Sequence, residues 1–318
     1  MVYASINTTG GIDMAYKRLA GLIAAPFTAF HADGSLNLEP IEDYAAMLCA
    51  NGVSGVFICG TTGEGSSLTT AERMQVAERW VSAADSKLRI IVHVGHASLP
   101  ECQTLAANAQ SISADGFSCL APYFFKPLAE ELVQFCAEVA GAAPALPFYY
   151  YHIPSMTGVN LAMLDFLKLA SSRIPNLQGV KFTYENLMDF GQCLRLEDRR
   201  FDIVFGRDEI LLSGLAIGAS AAIGSTYNFA APVYTRLISD FAELNLPSAR
   251  EHQAKACEMI AVFLKHGGLP AGKAMMKLIG LDCGPVRLPL RNLTAPQIDA
   301  LGGDLEQIGF FDYCCKMK

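Results

Sequence analysis

Apolar runs of β-strand length recur along most of this chain, at 22–27, 53–59, 90–94, 117–121, 147–153, 178–182, 203–205 and 221–225. They are hydrophobic throughout instead of alternating, which is the pattern of parallel strands covered on both faces. Helix-like segments lie between them. Residues 70–84, for example, open on the capping-box sequence Thr69-Thr70-Ala71-Glu72 and are read as carrying Glu72, Arg73, Glu78 and Arg79 outward. Eight strand–helix units in this order predict an α/β fold, a closed (β/α)8 TIM barrel. A doubly wound open sheet shares the local pattern, but no G-x-G-x-x-G fingerprint favours it.

Beyond about residue 246 the alternation stops, and three helical segments at 249–266, 271–279 and 295–308 read as a C-terminal helical extension packed on the barrel. The turn-rich stretch Gly284-Pro285-Val286-Arg287-Leu288-Pro289 between them is read as a loop against the barrel. The expected division is a loose tail over 1–16, a catalytic barrel over 17–245 and the extension over 246–318. One barrel with added helices accounts for 318 residues without a second core.

Composition narrows the function classes. With 52% hydrophobic and 17% charged residues the chain has ample core material, and its net charge of -7 with no Lys/Arg cluster leaves little from which to build a nucleic-acid surface. Only Cys314 and Cys315 of the ten cysteines lie close together and no C-x-x-C occurs, so the thiols are expected to be reduced, in a cytoplasmic protein. Cys49, Cys59, Cys119 and Cys136 sit among apolar residues, where a thiol packs as a small hydrophobe. The stretch 211–225 falls short of the ~20 apolar residues that span a bilayer, and the apolar run after Lys17-Arg18 reads as the first strand, not a signal peptide.

In a barrel of this kind the active site is built at the C-terminal strand ends, so the residues there are the candidates for chemistry. The second strand runs into Gly60-Thr61-Thr62-Gly63-Glu64-Gly65, whose amides and hydroxyls could hold a small carboxylate; an ordinary glycine-rich turn is the alternative. The fifth ends Phe148-Tyr149-Tyr150-Tyr151-His152-Ile153-Pro154, with Tyr149 and Tyr151 on one face and Tyr150 on the other. Tyr151 in the mouth could shuttle a proton or be a core aromatic. The sixth carries Gly179-Val180-Lys181-Phe182-Thr183. Burial would lower the pKa of Lys181 and free its amine for attack on a ketone, unless the head snorkels to solvent. The seventh and eighth add Gly206-Arg207-Asp208-Glu209 and Gly224-Ser225-Thr226, suited to the hydroxyls of a sugar-like substrate, with helix capping by Asp208 as the competing role.

Together these motifs, G-[TS]-T-G-E, Y-[NH]-[IV]-P and G-[ILV]-K-x-[TS] in this order, resemble the dihydrodipicolinate synthase and N-acetylneuraminate lyase superfamily over about residues 19–290. Within it the chain is most similar to the animal-type lyases, through 144–154, Asp189-Phe190-Gly191-Gln192-Cys193 and Gly224-Ser225-Thr226-Tyr227-Asn228. The resemblance implies a class I aldolase that cleaves N-acetylneuraminate reversibly to pyruvate and N-acetylmannosamine. It makes Lys181 the Schiff-base lysine and Tyr151 the proton carrier. Thr61 and Thr62 would grip the carboxylate, Thr183 would orient the amine, and Gly206, Asp208, Glu209 and Ser225 would bind the sugar tail. It implies no metal, no organic cofactor, no nucleic-acid or membrane partner, and a homotetramer.

Two departures bear on the choice of relative. The synthases have Arg two residues after the proline of the tyrosine motif, where this chain has Met156, and they place a tyrosine from a neighbouring subunit into the proton relay, where this chain reads Pro122-Tyr123-Phe124-Phe125. A phenyl ring relays no proton. Another 2-keto-acid aldolase acting on a shorter substrate stands as the alternative enzyme, against which the Asp208-Glu209 pair argues. A catalytically dead barrel acting as a sensor is the alternative outside catalysis.

Overall fold

A computed structural model describes residues 16–317. The tail expected over 1–16 lies outside them except for Tyr16. In chain order the elements are β1 (Gly21–Ala24), α1 (Ile41–Ala50), β2 (Val53–Ile58), α2 (Thr70–Ala84), β3 (Arg89–His93), α3 (Leu99–Ser111), β4 (Gly116–Leu120) and α4 (Ala129–Gly141). Then come β5 (Phe148–His152), the single turn α5 (Pro154–Thr157), α6 (Met163–Ala170), β6 (Leu177–Phe182), α7 (Leu187–Arg195), β7 (Asp202–Phe205), α8 (Leu211–Ile217), β8 (Ala221–Gly224) and α9 (Tyr227–Ala242). The strands pair in parallel in sequence order and β8 closes on β1, so the sheet is a closed barrel. Helices α10 (Leu246–Lys265), α11 (Leu269–Leu278) and α12 (Ala295–Gln307) follow it.

The apolar runs match the strands to within a residue at each end, except the first. β1 leaves the sheet after Ala24; Ala25 N still donates to Gly224 O at 2.9 Å, but Pro26 has no amide for the ladder. α10 starts ahead of its expected position because Asn245 accepts from Ser248 N and Pro247 sits in the first turn. The capping box at Thr69 and Glu72 forms as expected. Arg73 does not face outward. It is buried, and its guanidinium donates to the carbonyls of His93 (2.5 Å) and Gly95 (2.9 Å) at the end of β3, which supplies the acceptors that a buried guanidinium needs. Cys59, Cys119 and Cys136 are buried, whereas Cys49 is half-buried.

Two apolar layers result. One fills the barrel and includes Ile23, Phe57, Ile91, Tyr149, Tyr151, Val204 and Ile223; the other lies between strands and helices. On β5 the alternation sends Tyr149 and Tyr151 inward and Tyr150 outward against Phe166 of α6, ring centroids 4.5 Å apart. On β6 the alternation is interrupted. Phe148 pairs with Leu177 but Tyr149 pairs with Gly179, so Gln178 is an extra residue, a bulge. Leu177 packs in the outer layer, and strict alternation from it would turn Lys181 outward as well. The bulge resets the phase: Val180 and Phe182 pack outside, and Lys181 turns into the barrel opposite Tyr151. Among the described residues, no helix is long and apolar enough to cross a membrane.

Candidate active site

Register makes Tyr151 and Lys181 direct neighbours on β5 and β6. Lys181 Nζ lies 3.8 Å from the ring centroid of Phe57 and 4.1 Å from that of Tyr151. Aromatic faces favour an ammonium by roughly 0.5–2 kcal/mol, but no carboxylate is ion-paired with Lys181 among the described residues. Burial dominates and pushes the amine down to about 7, with the charge of Asp208 opposing it. Beneath the amine, His93 stacks edge-on to Tyr151, centroids 5.5 Å apart. Burial, helped by Arg73 and Lys181, holds this imidazole well below its ordinary value, so it adds no charge under the amine.

Tyr151 is fully enclosed, and burial raises its phenol above the ordinary value while the Thr61 and Thr183 hydroxyls pull it back. It is a neutral phenol at neutral pH. Its hydroxyl is 3.4 Å from Thr61 Oγ1, so the glycine-rich turn after β2 reaches across the mouth to β5. Gly65 N donates to Gly60 O and Glu64 N to Thr61 O, both at 3.1 Å, which closes the turn on itself. A Cβ at position 65 would overlap the carbonyl of Cys59, so this close approach needs glycine.

On the far side of the mouth, Gly206 leaves room for Thr183, whose buried Oγ1 lies near the Tyr151 hydroxyl without a well-formed hydrogen bond to any described residue and would be overlapped by any side chain at position 206. Asp208 is buried, and burial raises its pKa; its Oδ2 accepts from Thr226 N (3.1 Å) and Thr226 Oγ1 (2.6 Å). It therefore ties down the start of the segment after β8 and does not cap its own helix, the competing role considered for it, while its Oδ1 has no partner among the described residues. Arg207 ion-pairs with Glu185 and, at 3.2 Å, with Glu209. The structure brings Thr61, Thr62, Tyr151, Lys181, Thr183, Gly206, Asp208, Glu209 and Ser225 around one cavity of about 250 Å³ at the C-terminal barrel end. Larger clefts exist, one of about 490 Å³ at the opposite barrel end and one of about 520 Å³ beside α11, but neither holds an unpaired buried amine.

Residues 18–308 match the profile of the dihydrodipicolinate synthetase family. The chain belongs to that family. It is 42% identical over 303 residues to the N-acetylneuraminate lyase of Rattus norvegicus, covering 93% of this chain and 95% of that protein. The Proteus mirabilis N-acetylneuraminate lyase superposes with a TM-score of 0.90 at 43% identity, covering 92% of this chain and 100% of that one. The N-acetylneuraminate lyase (sialic acid aldolase) from Aliivibrio salmonicida gives the same TM-score and identity, over 92% and 98%.

Several residues at this cavity have no place in the set inferred from sequence. Ile260, Phe263 and Leu264 of α10 line the cavity, and Phe57 is the shelf under Lys181. Phe57 is legible in principle, as the inward residue before the turn of β2. The α10 residues carry no local signal, because a helix far along the chain returns to the mouth only in the folded molecule. Its Gln253 and Cys257 also bond the backbone carbonyls of Asp208 and Glu209, at 3.2 Å each.

Proposed function

We propose that this protein is a class I aldolase that cleaves N-acetylneuraminate reversibly to pyruvate and N-acetylmannosamine. The observation that carries the reading is Lys181: a buried amine brought to about 7, facing the cavity beside Tyr151. The names of its close relatives supply the substrate.

In this reading Thr61 and Thr62 bind the carboxylate of the open-chain sugar acid. The free amine of Lys181 adds to the C2 carbonyl and water leaves, giving an imine whose protonated nitrogen draws electrons. Tyr151, a neutral phenol, accepts the C4 hydroxyl proton while releasing its own to the substrate carboxylate, directly or relayed through the Thr61 hydroxyl 3.4 Å away, which passes its own proton on. The C3–C4 bond breaks, its electron pair moves toward the imine nitrogen, and the aldehyde of N-acetylmannosamine departs. Protonation of the enamine at C3 and hydrolysis return pyruvate and Lys181. Thr183 orients the amine, and Gly206, Asp208, Glu209 and Ser225 bind the sugar tail.

Assembly as a homotetramer belongs to the same reading. The loop after β4 exposes Phe124 (77%) and Phe125 (83%), with Leu128 and Met156 also exposed, an apolar surface that favours covering. The free thiols suit the reducing cytoplasm. Incubation with pyruvate and borohydride, followed by peptide mapping beside a Lys181→Ala control and an assay of pyruvate release from N-acetylneuraminate, tests the proposal. An adduct on Lys181 with release supports it. An adduct without release hands the substrate to a shorter 2-keto acid, and no adduct removes the Schiff base.

A further inference from the structure

Glu64 belongs to the same turn as Thr61 and Thr62, yet its side chain points away from the cavity. It is buried, 4% exposed, and ion-pairs at 2.8 Å with Lys273 of α11, which is equally buried. Lys273 Nζ also donates to Pro285 O at 2.6 Å. The second carboxylate oxygen of Glu64 accepts from the amide of Arg287 at 2.9 Å. The Arg287 guanidinium in turn donates to Ser67 O and Gly34 O, each at 3.0 Å, and pairs through both terminal nitrogens with Glu72 at the start of α2. Lys273 and Arg287 both stack on Phe30, 4.3 Å from its centroid. The C-terminal extension thus reaches back through α11 and the loop at 284–289 and grips the turn from behind.

The turn has a physical need for that grip. It is bracketed by two non-glycine residues in the left-handed region, Cys59 at φ 57° and Glu64 at φ 53°. Such residues are strained and persist only where surrounding contacts over-determine them. The turn's own bonds are few, and Thr28 Oγ1 donating to Gly63 O at 2.6 Å is its main tie to β1's side of the barrel. Meanwhile the amides of Thr61 and Thr62 donate to no acceptor among the described residues, which leaves them to an incoming anion.

We infer that Glu64 is a positioning residue for the carboxylate of the 2-oxo acid, with Lys273 and Arg287 of the C-terminal extension as the clamp that holds it. This rests on the aldolase reading above. It assigns the extension a task at the substrate's acidic end, separate from the contacts of α10 at the sugar end.

The test compares two ketones that differ in that carboxylate alone as an anchor: pyruvate, and hydroxyacetone, which has a hydroxymethyl group in its place. Adducts on Lys181 are trapped with cyanoborohydride across a concentration series, in the wild type, in Glu64→Gln, and in Glu64→Gln/Lys273→Met. The double variant leaves no unpaired buried charge, so it supplies a folded protein where the single one fails to fold. Half-saturation by pyruvate is expected to rise about tenfold in either folded variant, as a loosened set of charge-assisted hydrogen bonds requires. Trapping by hydroxyacetone is expected to stay within about twofold of the wild type. A folded variant that binds pyruvate as the wild type does overturns the inference, as does an equal loss for both ketones, which marks a general structural role. Absence of any adduct in the wild type overturns the aldolase reading itself, and the inference with it.

Discussion

Lys181 and Lys273 are buried to the same depth, 4% exposed each, and both lie over aromatic rings, yet they are set up for opposite tasks. Lys273 has the Glu64 carboxylate at 2.8 Å and a backbone carbonyl at 2.6 Å; burial lowers its pKa, and Glu64 pulls it back. Lys181 has no such pair, and Asp208 is the one charge opposing its desolvation. The rings are common to both, so stacking does not separate them. The carboxylate does: with it a buried lysine fastens two parts of the fold, and without it the amine is left free to react.

The contrast can be broken most sharply at Lys181. Lys181→Met is expected to lower pyruvate release by at least about 10⁴-fold, measured on the purified variant, and at the same time to stabilise the protein. The native amine titrates near 7 and the unfolded one near 10.4, so between those values the unfolded chain binds more protons and wild-type stability rises with pH. The methionine variant lacks that rise. Its advantage should be greatest at pH 7 and below, on the order of 4 kcal/mol, and should fade as pH approaches 10.5. Calorimetry at pH 7 and 9.5 would show it, and a variant no more stable than wild type at pH 7 would end the comparison.

Lys273→Met should have the opposite sign. It strands Glu64 in the interior and is expected to cost about 3–5 kcal/mol in urea unfolding; an unchanged midpoint would mean that the pair fastens nothing. A smaller effect concerns rate. At low pyruvate concentration, adduct formation on Lys181 should fall about tenfold per pH unit below about 7, as the ammonium form takes over. A midpoint near 10 would show that burial leaves the amine unperturbed. The smallest change is expected in Glu64→Gln/Lys273→Met, which removes both charges together and should lose no more than about 1 kcal/mol relative to wild type in the same urea assay.

Much of this was legible in the sequence because the relevant signals are local. Apolar runs mark the strands, the capping box marks the start of α2, and Lys181 and Tyr151 stand out as polar groups at buried strand ends. Arg73 departs from its expected outward orientation for an equally local reason. It falls on a helix among charged neighbours, and the carbonyls of His93 and Gly95 that receive it belong to another strand and its loop. Asp208 lines the cavity, but its carboxylate is spent on Thr226 across the mouth and caps no helix of its own, a pairing that only the closure of the barrel creates.

What the sequence by itself determined is which residue types stand at the ends of which strands, since alternation and hydrophobicity act over a few neighbouring positions. The tertiary structure alone decided which way they face and what meets them. The bulge at Gln178 is visible only when β6 is laid against β5, and it is this extra residue that turns Lys181 into the barrel beside Tyr151. The ion pair of Glu64 and Lys273, and the return of α10 to the mouth, join residues some 200 positions apart or come from a helix beyond the barrel. Such contacts depend on register and packing across the whole molecule, and no local pattern encodes them.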